Sequence, residues 1–521
     1  MGPYLCAVDV GTRSARAGIF DPDGVMLARA VAEFPVFDGP GRQAEYESGL
    51  IWQAVGTATR AALAGAGVAP AAVAALGFDA TCSLVLRDRD GAPLRLGGAG
   101  RDTIAWYDHR AEAEARDCTA TGHRLIDHLG GAMSPEMQTP KLMWLKRQRP
   151  DLWARLGSAR DLADHLTQRA TGSDAASACS LAAKWAYLPG AGGWQGGFLA
   201  AVGLADLPLP GPVTPVGQPV GYLTPGAAAD LGLAPGIPVA AGMIDAYAGA
   251  LGTIGLQQGG ARPWLTLIAG TSTCLMAVSP QPVFARGIWG PTPDTVLPGR
   301  WTSEGGQSAA GAALEWVLDL WPTTGAARPD HAAVLARIAE LLARPGPELG
   351  AGLDVLPDFN GNRAPLMDAQ ARGVISGLGL ERSFDGLCAL YWRTAVGLAL
   401  GVRQILAHLG PPGEALAIAG GLARTPLLNQ LFADAAGLPI LRAEGDDAML
   451  LGSAIAAATA GGLQADLASA ARAMTRLAQT LAPDPARRAA YDRDYAVMLR
   501  MQAHRAELAA LRGAPASDGA G

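Results

Sequence analysis

No two of the six cysteines in this 521-residue chain form a C-x-x-C pair; Cys6, Cys82, Cys118, Cys179, Cys274 and Cys388 are scattered. That spacing excludes a disulfide framework and a dithiol redox motif, and predicts reduced, mostly buried thiols in a cytoplasmic protein. The seven histidines show no metal-ligand spacing, which excludes a zinc site of the usual kind. A basic surplus is also missing. Lysine and arginine number 41 against 47 acidic residues, a net charge of −6, so no nucleic-acid partner is expected. The longest apolar stretch, Ala448 to Leu463, is short and rich in Ala, Gly and Ser; it reads as a buried helix and no membrane partner is expected. No charged leader precedes an apolar run at the N-terminus, so no signal peptide is expected.

What is present is core-forming sequence. Half the residues are hydrophobic and 68 are glycine, which points to close helix packing and tight turns. The length exceeds one typical core, so two large domains are expected.

Leu5–Val10, Ala15–Phe20 and Val25–Ala32 read as three antiparallel strands, followed by a helix from Glu47 to Ala66 and a strand from Val73 to Phe78. This is the start of a mixed sheet with helices on its faces. Between the first two strands lies Gly11-Thr12-Arg13-Ser14. A tight hairpin of this composition turns backbone N–H groups, hydroxyls and a guanidinium toward one point, a cradle for phosphate oxygens. Asp9 would face the same point, and its carboxylate suits a hydrated magnesium ion. An ordinary hairpin with a polar turn has the same pattern.

Trp264 to Val278 repeats the unit: strand, Gly270-Thr271-Ser272-Thr273 turn, strand. Two such hairpins about 260 residues apart argue for a duplicated domain with a nucleotide caught between the halves. Leu416 to Gly421 is a strand ending in Gly420-Gly421, a shelf on which a planar base could approach the backbone. Asn429, in the helix Pro426 to Gly437, could reach the base or ribose. Asp245 follows the strand Ile237–Gly242 at a strand-to-helix switch, where open sheets place active groups. A carboxylate there suits a general base, and equally a helix cap. Trp106 to Arg110 is either a capped helix start, with Asp108 as N-cap, or a polar wall for a polyhydroxylated ligand. Lys184 beside Trp185 would be solvated on its own. Glu304, in Ser303–Ser308 ahead of a helix from Ala309 to Leu320, could contribute to a ligand. The turn Phe359–Pro365 reads as rigid, with Arg363 satisfying carbonyls.

Together these residues resemble the FGGY family of carbohydrate kinases, over about Tyr4 to Leu463. The markers are VDVGTRSARAGIFD, AGTST, GMIDAYAGALG and AIAGGLARTPLLNQLFAD. WYDHRA, GFDATCS, MSPEMQTPKLMWL and EGGQSAAGAALEW look most like the pentulose-kinase branch, its D-ribulokinase-like members in particular; Tyr107 stands where methionine is more usual. The resemblance implies an α/β fold of two actin-like (RNase-H-like) ATPase domains, each a mixed five-stranded sheet flanked by helices, with the active site in the cleft between them. The expected boundaries are residues 1–256 and 257–465, then a helical extension over 466–512 and a disordered tail over 513–521.

By resemblance, Asp245 matches the catalytic base and Asp9 the acid that organises Mg²⁺ through water. Thr12, Arg13, Gly270 and Thr271 match the phosphate-contacting turns, with Gly11, Ser14 and Ser272 beside them. Gly420, Gly421 and Asn429 match the adenosine-side motif, and Gly311 and Arg424 fall on the same nucleotide side. Lys184, Asp245 and Glu304 resemble ketopentose contacts. Cys82 falls where the chain touches the sugar, with Trp106, Asp108 and His109 close by. The implied cofactors are ATP and Mg²⁺, and the implied partner is a small sugar; a homodimer is compatible with the resemblance. The expected activity is phosphorylation of the terminal hydroxyl of a ketopentose, D-ribulose first. The alternatives are another pentulose or polyol (L-ribulose, xylulose, ribitol, glycerol) and a non-catalytic actin-like ATP-binding protein.

Overall fold

The computed structural model describes residues 3–98, 100–257, 260–320, 328–345, 348–410, 413–445 and 447–513. The expected tail lies, from residue 514 on, outside the described residues.

In the first half, β1 (Tyr4–Val10), β2 (Ser14–Phe20), β3 (Met26–Glu33), β4 (Val73–Ala80) and β5 (Pro238–Ala240) form the core of a sheet. The pairs β1–β2 and β2–β3 are antiparallel; β1–β4 and β4–β5 are parallel. In the second half, β6 (Trp264–Ala269), β7 (Thr273–Ser279), β8 (Trp301–Gln307), β9 (Leu416–Ala419) and β10 (Ile440–Ala443) repeat that order and those directions. The repeated hairpin is thus the seed of a repeated sheet.

Among the described residues each sheet has seven strands rather than the expected five. Pro219–Tyr222 and Met243–Ile244 add to the first, Trp289–Pro293 and Leu477–Leu481 to the second. Pro219–Tyr222 falls in a stretch that reads as loop because it is rich in Pro and Gly; it is an edge strand, where a proline costs no ladder bond on the open side. Leu477–Leu481 interrupts the expected all-helical extension, because the exposed edge of β10 offers its backbone a partner. A third sheet of five short strands, among them Leu84–Asp88, Thr103–Ile104 and Leu156–Asp161, carries the Trp106–Arg110 wall.

Five helices position the site: α1 (Ser48–Ala66), α2 (Asp245–Ile254), α3 (Gly311–Asp319), α4 (Ala448–Ala460) and α5 (Arg488–Leu511). Helix α4 belongs to the second half by sequence but packs on β1, β4 and β5 of the first; α2 packs on β6, β7 and β9 of the second. The two helices cross between the sheets. Their sequences allow an approach to backbone contact: a Cβ on Gly452 would lie 1.8 Å from the Ala248 carbonyl oxygen, and one on Gly252 2.1 Å from that of Ala448. Leu450, Ala454 and Ile455 of α4 and Ala248, Ala250 and Leu251 of α2 share one buried apolar cluster. No described helix is long and apolar enough to cross a membrane.

Candidate active site

Asp9 is the next-to-last residue of β1, and Asp79 lies beside it in parallel register on β4. Met243–Ile244 pairs with Asp79 and Ala80, so Asp245 emerges at the same carboxyl-terminal edge. Across the first hairpin, Arg16 is the register partner of Asp9 and forms an ion pair with it. Arg16 also lies 3.9 Å from Asp447, the N-cap of α4, which accepts from Arg29 Nε at 3.0 Å. The guanidinium on the Asp9 carboxylate is therefore Arg16; Arg13, expected as a phosphate contact of the turn, is exposed on the side of Tyr46 and Tyr107.

Burial raises the carboxyls of Asp9 and Asp79, and Asp79 also meets the charge of Asp9 while accepting the Ser453 hydroxyl at 2.6 Å. Neither carboxylate oxygen of Asp9 has a well-aligned hydrogen-bond donor among the described residues. Among the described residues no three His, Cys, Asp or Glu converge closely enough to hold a bare metal ion. That donor set fits a hydrated divalent ion, which keeps most of its waters and needs one or two carboxylates. Burial also raises the Asp245 carboxyl, with Glu304 adding to the rise, while the Ala246 N–H (2.8 Å), Arg16 and Lys184 oppose it.

The two hairpin turns differ by one residue: Gly11 N–H donates to Ser14 O at 3.0 Å, Gly270 N–H to Ser272 O at 2.9 Å. The second turn receives the start of α3. Ala310 N–H donates to Thr271 O and Gly311 N–H to Gly270 O, at 2.8 and 3.0 Å. A Cβ at Gly311 would lie 2.8 Å from that Gly270 oxygen, which explains the glycine. Gly270, Thr271, Gly311 and Gly421 line one open groove of about 500 Å³, with Glu315 and His331 on its wall. Gly420 and Arg424 line a neighbouring cavity of about 220 Å³ instead. Asn429 is fully buried and does not reach the groove; its Nδ2 donates to Ala423 O at 2.8 Å and pins the glycine turn.

On the other side of the hairpins, the Trp106 indole donates to Thr12 Oγ1 at 3.2 Å, tying the first turn to the polar wall. Lys184 ends its helix and is buried, 3.2 Å from Glu304 and 4.3 Å from the centre of the Trp289 ring. Burial, the largest influence, opposes its charge, but Glu304 together with Cys82 and Glu136 outweighs it and raises the Lys184 pKa. The Tyr247 hydroxyl donates to the same Glu304 oxygen at 3.3 Å. The Cys82 thiol is pushed up to about 12 by burial, so it is a neutral lining group. Asp108 does not face a ligand. Its oxygens accept from Ala44 N–H at 2.7 Å and from the Arg110 backbone and guanidinium at 2.8–3.0 Å. It holds the wall in place.

Two charged residues join this side that the sequence reading did not place there. Arg363 lies 3.4 Å from Glu136 and 3.9 Å from Glu304, so it meets carboxylates rather than the expected carbonyls. Glu136 lies 3.5 Å from His109 Nε2. Burial alone would raise the Glu136 carboxyl, but Arg363, His109 and Lys184 hold it down to about 2. Its contribution to stability is therefore present above the ordinary glutamate pKa and is lost only as pH falls toward 2.

Family models now bear on this geometry. The N-terminal domain of the FGGY family of carbohydrate kinases matches residues 4–252, and its C-terminal domain matches 265–461. The chain belongs to the FGGY family of carbohydrate kinases. It is a sugar kinase, and the paired sheets are the two-domain fold of that family. A human FGGY carbohydrate kinase domain-containing protein is 36% identical over 98% of each chain. A D-ribulokinase of Saccharomyces cerevisiae is 33% identical over 88% of this chain and 72% of its own. The structure of a ligand-bound xylulose kinase from Lactobacillus acidophilus shares the fold, with a TM-score of 0.81 at 20% identity, over 96% of this chain and 98% of that one.

In this kinase Lys184 and Glu304 form a buried pair between the domains. Replacing Lys184 by Met leaves the buried Glu304 charge with only the more distant Arg363 guanidinium at 3.9 Å and the Tyr247 hydroxyl, and should cost about 3 kcal/mol, the low end for breaking a buried pair. Urea unfolding checks this; an unchanged midpoint would mean that the pair is not closed in solution.

Proposed function

We propose that this FGGY kinase transfers the γ-phosphoryl group of ATP to the terminal hydroxyl of a ketopentose, with D-ribulose the favoured substrate. The observation that supports the reading is that Asp245 starts α2 at the strand edge it shares with Asp9 and Asp79, within electrostatic reach of Arg16 of the first hairpin and of the buried Lys184–Glu304 pair. A half-buried carboxylate with a raised pKa at a helix start suits a base that takes the hydroxyl proton. The oxygen then attacks the γ-phosphorus in line. Thr12 and Thr271 would present donors to the phosphates, the N–H groups of Gly11 and Gly270 being spent in shaping their turns, and the groove at Gly311 and Gly421 would take the adenosine. Lys184 and Glu304 would hold sugar hydroxyls as donor and acceptor. Asp9 would hold a hydrated Mg²⁺, whose charge would neutralise the phosphoryl oxygens. Closure of the cleft would exclude water, which otherwise competes as nucleophile. The likeness to a D-ribulokinase at 33% identity supports the choice of sugar.

A panel of D-ribulose, L-ribulose, D-xylulose, ribitol and glycerol in a coupled ADP-release assay tests the choice. The highest kcat/KM is expected for D-ribulose; a tenfold preference for another member would replace it. The pH profile follows from Asp245. Its raised pKa means that the base is protonated and inactive at low pH, so the acid limb of kcat/KM should lie above the ordinary aspartate pKa. A rate independent of pH down to 4 would contradict this role.

A further inference from the structure

We propose that Arg363 and Glu136 are sugar-positioning residues that close over the substrate from opposite domains, and that with Lys184 and Glu304 they select a neutral polyol over an anionic sugar. The proposal rests on the ketopentose reading and names the features that enforce it.

Arg363 comes from the C-terminal domain, on a loop with little freedom. Asn362 and Asp368 exchange backbone hydrogen bonds at 2.8 and 2.9 Å. Asn362 also accepts from Leu366 N–H and donates to Asp358, both at 3.0 Å. Asp358 in turn accepts from Arg505 of α5 at 2.6 Å, so the C-terminal extension braces the loop. The sequence also makes room for the loop. A Cβ at Gly306, two residues after Glu304, would lie 3.3 Å from Arg363 Nη1 and 2.4 Å from Thr273 O.

Glu136 comes from the N-terminal domain, in the turn just before the helix Gln138–Gln148. Its carboxylate meets Arg363 at 3.4 Å across the cleft. The guanidinium lies 5.2 Å from the centre of the Trp289 ring and 5.8 Å from that of Trp106. The ion pair therefore lies beside the same tryptophans that line the sugar side. The Arg363 Nε is buried and has no hydrogen-bond partner among the described residues. A hydroxyl of a bound polyol would accept from it.

The charges settle the class of substrate. Two cations, Arg363 and Lys184, face two carboxylates, Glu136 and Glu304, at 3.2–3.9 Å. Neither of these two permanent cations is left over for a carboxylate or phosphate on the sugar, and His109, 3.5 Å from Glu136, is engaged by the same carboxylate. Hydroxyls suit the arrangement because each both donates to a carboxylate and accepts from a cation. An anionic sugar would leave a buried charge without a partner.

The test uses the full-length enzyme, wild type and with Glu136→Gln or Arg363→Gln, with thermal melts to confirm folding. D-ribulose is the neutral substrate and D-ribonate the anionic one. Each variant should raise the D-ribulose KM at least about tenfold while the ATP KM stays within about twofold, because a tenfold loss is only 1.4 kcal/mol of binding. Glu136→Gln frees the arginine, so the ratio of kcat/KM for ribonate over ribulose should rise at least about tenfold. Arg363→Lys, which keeps the charge but loses the planar fork, should recover only part of the binding. A folded Glu136→Gln enzyme with unchanged sugar KM overturns the proposal. So does a joint rise of the sugar and ATP KM, which marks a merely structural pair, or a wild type that prefers ribonate. If the best neutral substrate is a polyol other than a ketopentose, the same ratios are read with it; only the ketopentose reading then fails.

Discussion

Replacing Asp245 by Asn should lower turnover at least about a hundredfold while the sugar KM stays within about threefold of wild type. The expectation follows from what the substitution keeps. The amide is isosteric, and its oxygen still accepts from Ala246 N–H, the 2.8 Å contact that fixes the side chain at the start of α2. The hydroxyl-binding groups Lys184 and Glu304 are untouched and still paired at 3.2 Å. Only the capacity to take a proton disappears. The raised carboxyl is the electrostatic counterpart of that task, because a base with a pKa moved up toward neutrality holds the proton more firmly in the transition state. Turnover within about fivefold of wild type would remove Asp245 from the reaction and leave it as a helix cap.

A second large effect is expected far from the substrate. Gly452→Ala should destabilise the protein by about 3 kcal/mol, the upper end of the cost of overpacking. The added methyl would start 1.8 Å from the Ala248 carbonyl oxygen, and that oxygen is part of the backbone of α2 and cannot swing aside. The only relief is to separate α2 from α4. A Cβ on Gly252 would likewise lie 2.1 Å from the Ala448 carbonyl oxygen in the same crossing, so the strain cannot be passed along the helices. Asp245 starts α2 and Asp447 caps α4. Spreading them would also pull the Asp447 end of the Arg16 bridge away from Asp9, so activity should fall along with the urea midpoint. A variant as stable as wild type would show that the crossing has slack.

Much of the fold was readable because it rests on local chemistry. The two hairpins share strand, glycine-led turn and strand, and each seeds a sheet of the same order. Even the Asp9–Arg16 pair was present in the numbering: once Val10 faces Ala15, Asp9 must face Arg16. The reading stopped at Arg13, because it treated the turn rather than the register as the source of the guanidinium. Other contacts had no local signal. Glu136 lies in an irregular turn, with no periodicity to aim it, and its partner Arg363 is 227 residues away. Asp108 has the residue type of a sugar ligand, and only the Arg110 fork and the Ala44 amide show that its oxygens are spent within the wall. Asn429 failed in the same way, since its burial is set by packing of the helix and not by its polarity. Strand Leu477–Leu481 was hidden because an edge strand pairs with backbone, which composition does not record.

The central claim is phosphoryl transfer to the terminal hydroxyl of a ketopentose. Phosphorus NMR of the product from ATP and D-ribulose addresses it most directly. One new phosphomonoester on C5, the terminal CH₂ group remote from the carbonyl, is expected for each ADP formed, with ADP formation dependent on the sugar. ADP appearing at the same rate without sugar, or a phosphate on any other carbon, would contradict it.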